Sequence, residues 1–238
     1  MKQESGSQRV LQLASVVMGL GGLWYLFAEA VSAYGFPGYS YAHNFISDLG
    51  VPEAGVFQGR AIDSRLAEVM NAGFLGEGLT FALGGVLLWW ALPKGRGGGW
   101  LIALATVHSF GISLVGLVNG SPANVEGGMA IFHFAGAFAA IISGNLAVII
   151  AGKRALPAAL GSKLSRFSVL LGTVGLVSLL ALIVTSASNT IFIFDYGVWE
   201  RLSVYTIIAW QFIFASATLV SRHGDRVRGH FQPVKTTG

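Results

Sequence analysis

The sequence predicts an all-α integral membrane protein, a single bundle of six transmembrane helices spanning residues 1–238. Three observations carry this reading. Six apolar stretches occupy most of the 238 residues, and a hydrocarbon core of ~30 Å needs roughly 20 helical residues to cross it. The composition is 53% hydrophobic and only 11% charged, with mean hydropathy +0.65, far from an ordinary soluble domain. Finally, unpaired backbone N–H and C=O groups are too costly in lipid, so stretches this long and apolar must pair them internally as helices.

The first predicted span, 10–33, carries Ser15, Gly19 and Gly22 on one face, leading to Glu29. Its end, Ala30-Val-Ser-Ala33, resembles a signal-peptidase site. The apolar run before it is longer than a signal-peptide core, so we read it as a retained helix. A long loop, 34–67, follows. The second span, 68–92, repeats Gly73, Glu77, Thr80 and Gly84 on one stripe. The third, 100–119, does the same with Thr106, Ser109, Ser113, Gly116 and Gly120, with His108 beside the stripe. The fourth, 128–151, aligns Ala130, His133, Ala137, Ala140, Gly144 and Ala147. The fifth and sixth are 167–187 and 198–220; the sixth opens with Glu200 and Arg201 and holds Gln211 as interhelical glue.

These stripes follow helical spacing. Small residues let membrane helices approach closely, so the stripes are expected to face the bundle interior. Glu77, His108 and His133 are therefore predicted to point inward from three successive helices. At ~1.5 Å of rise per residue, Glu77 and His108 fall near mid-membrane, while His133 lies about a turn and a half inside its span. Ionisable groups at such depth usually mark a pathway, a site or a buried pair.

Charge predicts orientation. Of the 15 Lys and Arg residues, twelve flank one side of the predicted spans, including Lys94, Arg96, Lys153, Arg154 and the tail 222–238. The other side has only Arg60, Arg65 and Arg201. The positive-inside bias then puts both termini and the basic tail in the cytoplasm of a multi-pass cell-membrane protein. Most acids gather on the opposite, outer side, among them Glu29, Asp48, Glu53, Asp63, Glu126, Asp195 and Glu200. The sequence pI near 9.6 does not imply a nucleic-acid partner, because the basic residues flank spans and form no single surface. With no cysteine, disulfides, thiolate metal sites and thiol catalysis are excluded. Trp89, Trp90 and Trp100 at one boundary, and Trp199 and Tyr205 at the other, read as interfacial aromatic belts.

The long loop holds the most distinctive local sequence, Tyr41-Ala-His43-Asn44-Phe45-Ile46-Ser47-Asp48-Leu49-Gly50. Ser47 or Asp48 suits a turn cap, Gly50 a positive φ, and Pro52 ends any helix. Phe45, Ile46 and Leu49 are the expected anchors of a segment folded back onto the bundle mouth. On this pattern the chain resembles the bacterial and archaeal membrane family catalogued as domain-of-unknown-function family 998. More distantly it resembles the Frag, DRAM and Sfk group, whose Ile-Ser-Asp-x-Gly signature is matched by Ile46, Ser47, Asp48 and Gly50. Leu49 stands where the eukaryotic signature has Thr. The resemblance implies a six-span fold and, through the eukaryotic members, a connection to lipid remodelling or autophagy. The ingredients Ser47, Asp48, His43, His108 and His133 are also those of the alkaline ceramidases, intramembrane zinc hydrolases, but the paired histidines of a late helix are missing.

The candidate catalytic residues are therefore His43, Ser47, Asp48, Glu77, His108 and His133. Glu29, Asn119, Glu126, Glu200 and Arg201 are candidate ligand-binding groups near the outer boundary. Such a set suits general acid–base work, or a divalent metal such as zinc held by histidines and carboxylates. Two functions stay open. One is a membrane enzyme processing a lipid or lipid-linked headgroup at the outer leaflet. The other is a non-enzymatic lipid-binding or transport protein, or an accessory subunit of a membrane complex. The expected partners are membrane lipids and other membrane proteins.

Overall fold

The computed structural model describes residues 2–57, 59–92, 98–155, 161–188 and 190–230, with side chains omitted at 2–5, 155 and 221–230. Its helices are α1 (Lys2–Tyr34), α2 (Ala67–Ala91), α3 (Gly98–Leu117), a short α4 (Pro122–Glu126), α5 (Ala130–Ile150), α6 (Ser162–Ser188) and α7 (Tyr196–His230). All but α4 are long and apolar enough to cross a membrane. The sequence boundaries agree within a few residues except at the termini, where α1 begins earlier and α7 continues past the apolar window to His230. The basic loop at 93–97 and the chain beyond 230 lie outside the described residues.

The six spans close a ring in chain order. Helix α1 packs on α2, α2 on α3, α3 on α5, α5 on α6 and α6 on α7, which returns to α1. Glycines set the close approaches. A Cβ on Gly84 would lie 2.4 Å from Met18 of α1, and one on Gly111 would lie 2.6 Å from the Gly136 carbonyl of α5. Large apolar side chains such as Leu20, Leu79, Phe110 and Leu180 cover the outside, as expected where the bilayer is the solvent.

One stripe needs correction. The buried face of α3 runs through Ala105, His108, Ile112 and Val115, while Thr106 is exposed and Ser109 half-buried. Small polar residues also tolerate the flank of a helix, so they did not mark the interior there. The Gly73–Thr80–Gly84 row of α2 does lie inward, against Ala28, Gly21 and Met18 of α1.

The long loop forms a cap on one end of the ring. It contains a 3-10 turn, Ser47–Gly50, and a hairpin of strands β1 (Gly55–Phe57) and β2 (Arg60–Ile62), paired Gly55↔Ile62, Val56↔Ala61 and Phe57↔Arg60. Gly59 takes φ 78 in its turn, a conformation that costs glycine little. Strand alternation puts Arg60 and Ile62 on the buried face. Ile46 and Leu49 join Tyr25, Met70, Phe74 and Ile112 in one apolar cluster, so the cap is part of the core.

Candidate functional site

Arg201, near the start of α7, locks the cap in place. Its Nε and Nη2 face Glu29 Oε1 of α1 at 3.2 and 3.0 Å. Nη1 donates to the carbonyls of Tyr41, Asn44 and Gly197 at 2.7, 2.9 and 3.1 Å. Nη2 also donates to the Tyr39 hydroxyl, which in turn donates to the Phe45 carbonyl at 3.0 Å. Burial pushes the Tyr39 hydroxyl well above its ordinary value, keeping it a donor. Tyr205 completes the network by donating to Glu29 Oε2 at 2.7 Å. Tyr205 is thus half-buried with its hydroxyl in this network, and Trp199 is packed in with its indole N–H on the Phe192 carbonyl.

Asp48 is similarly committed. Arg60 meets its carboxylate through two bonds of 2.9 and 3.1 Å, with both side chains nearly inaccessible. The Phe45 amide and the Asn44 side chain donate to the same Oδ2 at 3.0 and 3.4 Å. The Arg60 guanidinium also lies 4.1 Å from the centre of the Phe45 ring. Asp48 therefore ties the turn to the hairpin and does not orient His133.

At mid-membrane, Glu77 and His108 form a pair, Oε2 to Nε2 at 3.0 Å. His108 Nδ1 donates to the Ala140 carbonyl at 2.8 Å. Gln211 of α7 donates to the other Glu77 oxygen at 2.9 Å. Four helices thus share one buried polar centre, α5 through its Ala140 carbonyl, and the Phe81 ring lies tilted against the His108 ring with centroids 4.3 Å apart.

His133 stands apart from that centre. Its Nδ1 donates to the Val118 carbonyl at 2.8 Å; in the neutral imidazole Nε2 then carries the lone pair. His133, Ser47 and Glu200 are among the residues that line a cleft of about 400 Å³ between α5 and α6. The rest of the cleft is lined mainly by apolar side chains, including Phe134, Phe138, Ile141, Leu179 and Ile183. Glu200 also accepts the Ile46 amide through Oε2, which fixes it beneath the cap.

The remaining candidates are dispersed. His43 pairs with Asp195 at 3.0 Å on the exposed surface. Asn119 accepts from the Ser121 amide and the Asn124 side chain at 3.2 and 3.0 Å, holding the turn into α4. Glu126 is exposed on α4. Among the described residues no three His, Asp or Glu side chains converge as metal ligands. The assembly considered for zinc is divided among Asp195, Glu77, Arg60 and the Val118 carbonyl.

Sequence reasoning missed Arg60, which it used only to count charge, and it named Glu29 and Arg201 as ligand-binding candidates without pairing them with each other. A signal existed: two of three bases on a side rich in acids are natural partners for the acids nearest the membrane. The hairpin that delivers Arg60 carried no comparable cue.

A capped ring of six helices, with buried ion pairs and a lateral cleft, defines a multi-pass membrane protein. The chain belongs to the family described as Protein of unknown function (DUF998), whose model matches residues 19–217. No curated protein and no solved structure matches it.

Proposed function

We propose that the α5–α6 cleft binds a membrane lipid, with an acyl chain along its apolar wall and the polar head at Ser47, His133 and Glu200, and that the protein processes that head. The carrying observation is the cleft's polarity: four polar side chains, Ser47, His133, Ser186 and Glu200, accompany nine apolar ones. Its volume of about 400 Å³ falls within the ~300–1,000 Å³ of small-molecule sites. Phe134, Phe138 and Ile183 are exposed at its flank, which on this reading faces lipid. His133 and Ile141 are eight residues apart on α5, which corresponds to ~12 Å of depth, suited to part of one acyl chain.

The processing step is carried by His133. With Nδ1–H held on the Val118 carbonyl, Nε2 is oriented as a base for water or for the Ser47 hydroxyl. Positive-inside charge assigns the cap and the cleft head to the outer leaflet of the cell membrane.

A photoactivatable phospholipid in proteoliposomes tests the binding. Cross-links should concentrate around Phe138 and Ile183 and disappear in Ile183→Trp, while labelling at Leu20 of α1 stays at background. Equal labelling at Leu20 and Ile183 would remove the binding reading. Mass spectrometry of lipids incubated with wild type, Ser47→Ala and His133→Ala tests the chemistry separately; lipid turnover unchanged in His133→Ala would remove the processing role.

A further inference from the structure

We propose that the α5–α6 cleft selects its lipid by a protonated primary amine on the headgroup, the ammonium of a phosphatidylethanolamine-type lipid seated on Glu200. The proposal rests on the reading of the cleft as a lipid site and is independent of any processing there.

Ion pairing singles out Glu200. The buried acids Glu29, Asp48 and Glu77 face Arg201, Arg60 and His108. Asp63 and Asp195 reach Arg65 and His43, while Glu53, Glu68 and Glu126 are exposed to solvent. Among the described acids, Glu200 alone is half-buried with no basic partner. Its neighbour Arg201 is turned to Glu29 and to the carbonyls of Tyr41, Asn44 and Gly197. A carboxylate drawn out of water without a counter-charge is costly, and an ionisable group in a membrane segment is by default a pair or a site. The cleft that Glu200 lines has no Lys or Arg among its described lining residues. The missing cation therefore belongs to the ligand.

Hydrogen-bonding capacity points the same way. Glu200 Oε2 accepts the Ile46 amide, which leaves Oε1 without a partner among the described residues, and the hydroxyls of Ser47 and Ser186 have none either. Neutral His133, with its Nδ1–H on the Val118 carbonyl, presents Nε2 as an acceptor. The cleft thus offers a carboxylate oxygen, an imidazole nitrogen and two hydroxyls. An ammonium carries three donors and no acceptor, and it fits this set. A quaternary choline head has the charge but no N–H to donate.

These polar groups share one level. Glu200 lies four residues after Tyr196 at the start of α7, His133 three after Ala130 of α5, and Ser186 two before Ser188 of α6. That is ~3–6 Å from the helix ends on the cap side, and Ser47 belongs to the cap itself. Ile141 and Leu179, which also line the cleft, lie ~13–17 Å in from the same ends. A hydrocarbon chain running down past Ile141 and Leu179 therefore leaves the headgroup amine at the level of Glu200.

The test uses the full chain in proteoliposomes with three photoactivatable phospholipids. They share the phosphate and the reactive acyl chain and differ only in the headgroup terminus: ethanolamine, choline or N-acetylethanolamine. Cross-linking at Phe138 and Ile183 should be stronger for the ethanolamine lipid by about tenfold, the worth of a hydrogen bond to a charged group. The preference should vanish in Glu200→Gln, whose amide oxygen can still accept the Ile46 N–H. Ser186→Lys, at an exposed position of the same cleft, should abolish it by supplying a competing cation, and it serves if Glu200→Gln does not fold. Cleft labelling indifferent to the headgroup would overturn the amine assignment and leave the cleft a lipid site. A full preference retained in either folded variant would do the same. Labelling at Phe138 and Ile183 no higher than at Leu20 with all three lipids would remove both readings.

Discussion

Replacing Arg201 by Met should release the cap from the bundle. The guanidinium uses all three nitrogens on Glu29, Tyr39 and the carbonyls of Tyr41, Asn44 and Gly197. Glu29 is 1% and Arg201 6% exposed, so solvent screens the pair little. Removing one partner of a buried pair costs about 3–5 kcal/mol, because the other charge is stranded. The Tyr205 hydroxyl still donates to Glu29, which favours the lower part of that range. Arg201→Lys should lose roughly half as much, since an ammonium cannot reproduce the planar fork. Glu29→Gln with Arg201→Met strands no charge and should fall within ~2 kcal/mol of wild type. Denaturant unfolding in micelles, followed by tryptophan fluorescence, reads the stabilities. Hydrogen exchange over 41–50 reads detachment of the cap. An Arg201→Met variant within 1 kcal/mol of wild type, or a double variant worse than the single, would refute the reasoning.

Asp48→Ala should destabilise the protein by about 3 kcal/mol by stranding Arg60, and adding Arg60→Leu should recover much of that loss. A catalytic Asp48 would instead leave stability intact, so the stability of the double variant separates the two roles. For topology, the chain has no cysteine, so single replacements report cleanly. From outside intact cells, Ala54→Cys in the cap should label and Gly99→Cys, with open space around its side chain, should not; the reverse pattern would invert the orientation.

Much of the architecture was legible one helix at a time. The lengths of the six apolar stretches, the depth of Glu77 and His108, and the inward row of α2 all follow from rise and angle per residue. Ile46 and Leu49 were legible as anchors because an extramembrane segment so rich in apolar groups needs a surface to bury them. Local periodicity failed on α3, where Ser and Thr are compatible with both a buried face and a flank. It was silent on α4, which is set by the Ser121 cap accepting the Asn124 amide.

By itself, then, the sequence determined a membrane helix bundle and the height at which each polar group sits, because both depend on bonds and spacings within one segment. Only the tertiary structure decided the partners. Glu77 meets His108 across 31 residues, and Glu29 meets Arg201 across 172. His133, with the same expected inward direction as His108, pairs instead with a backbone carbonyl and faces a cleft. Such pairings depend on how far neighbouring helices are rotated and shifted against each other. Those offsets are set by how helices pack at sites such as Gly111 against Gly136, where the backbones approach closely, and no period within a single helix records them.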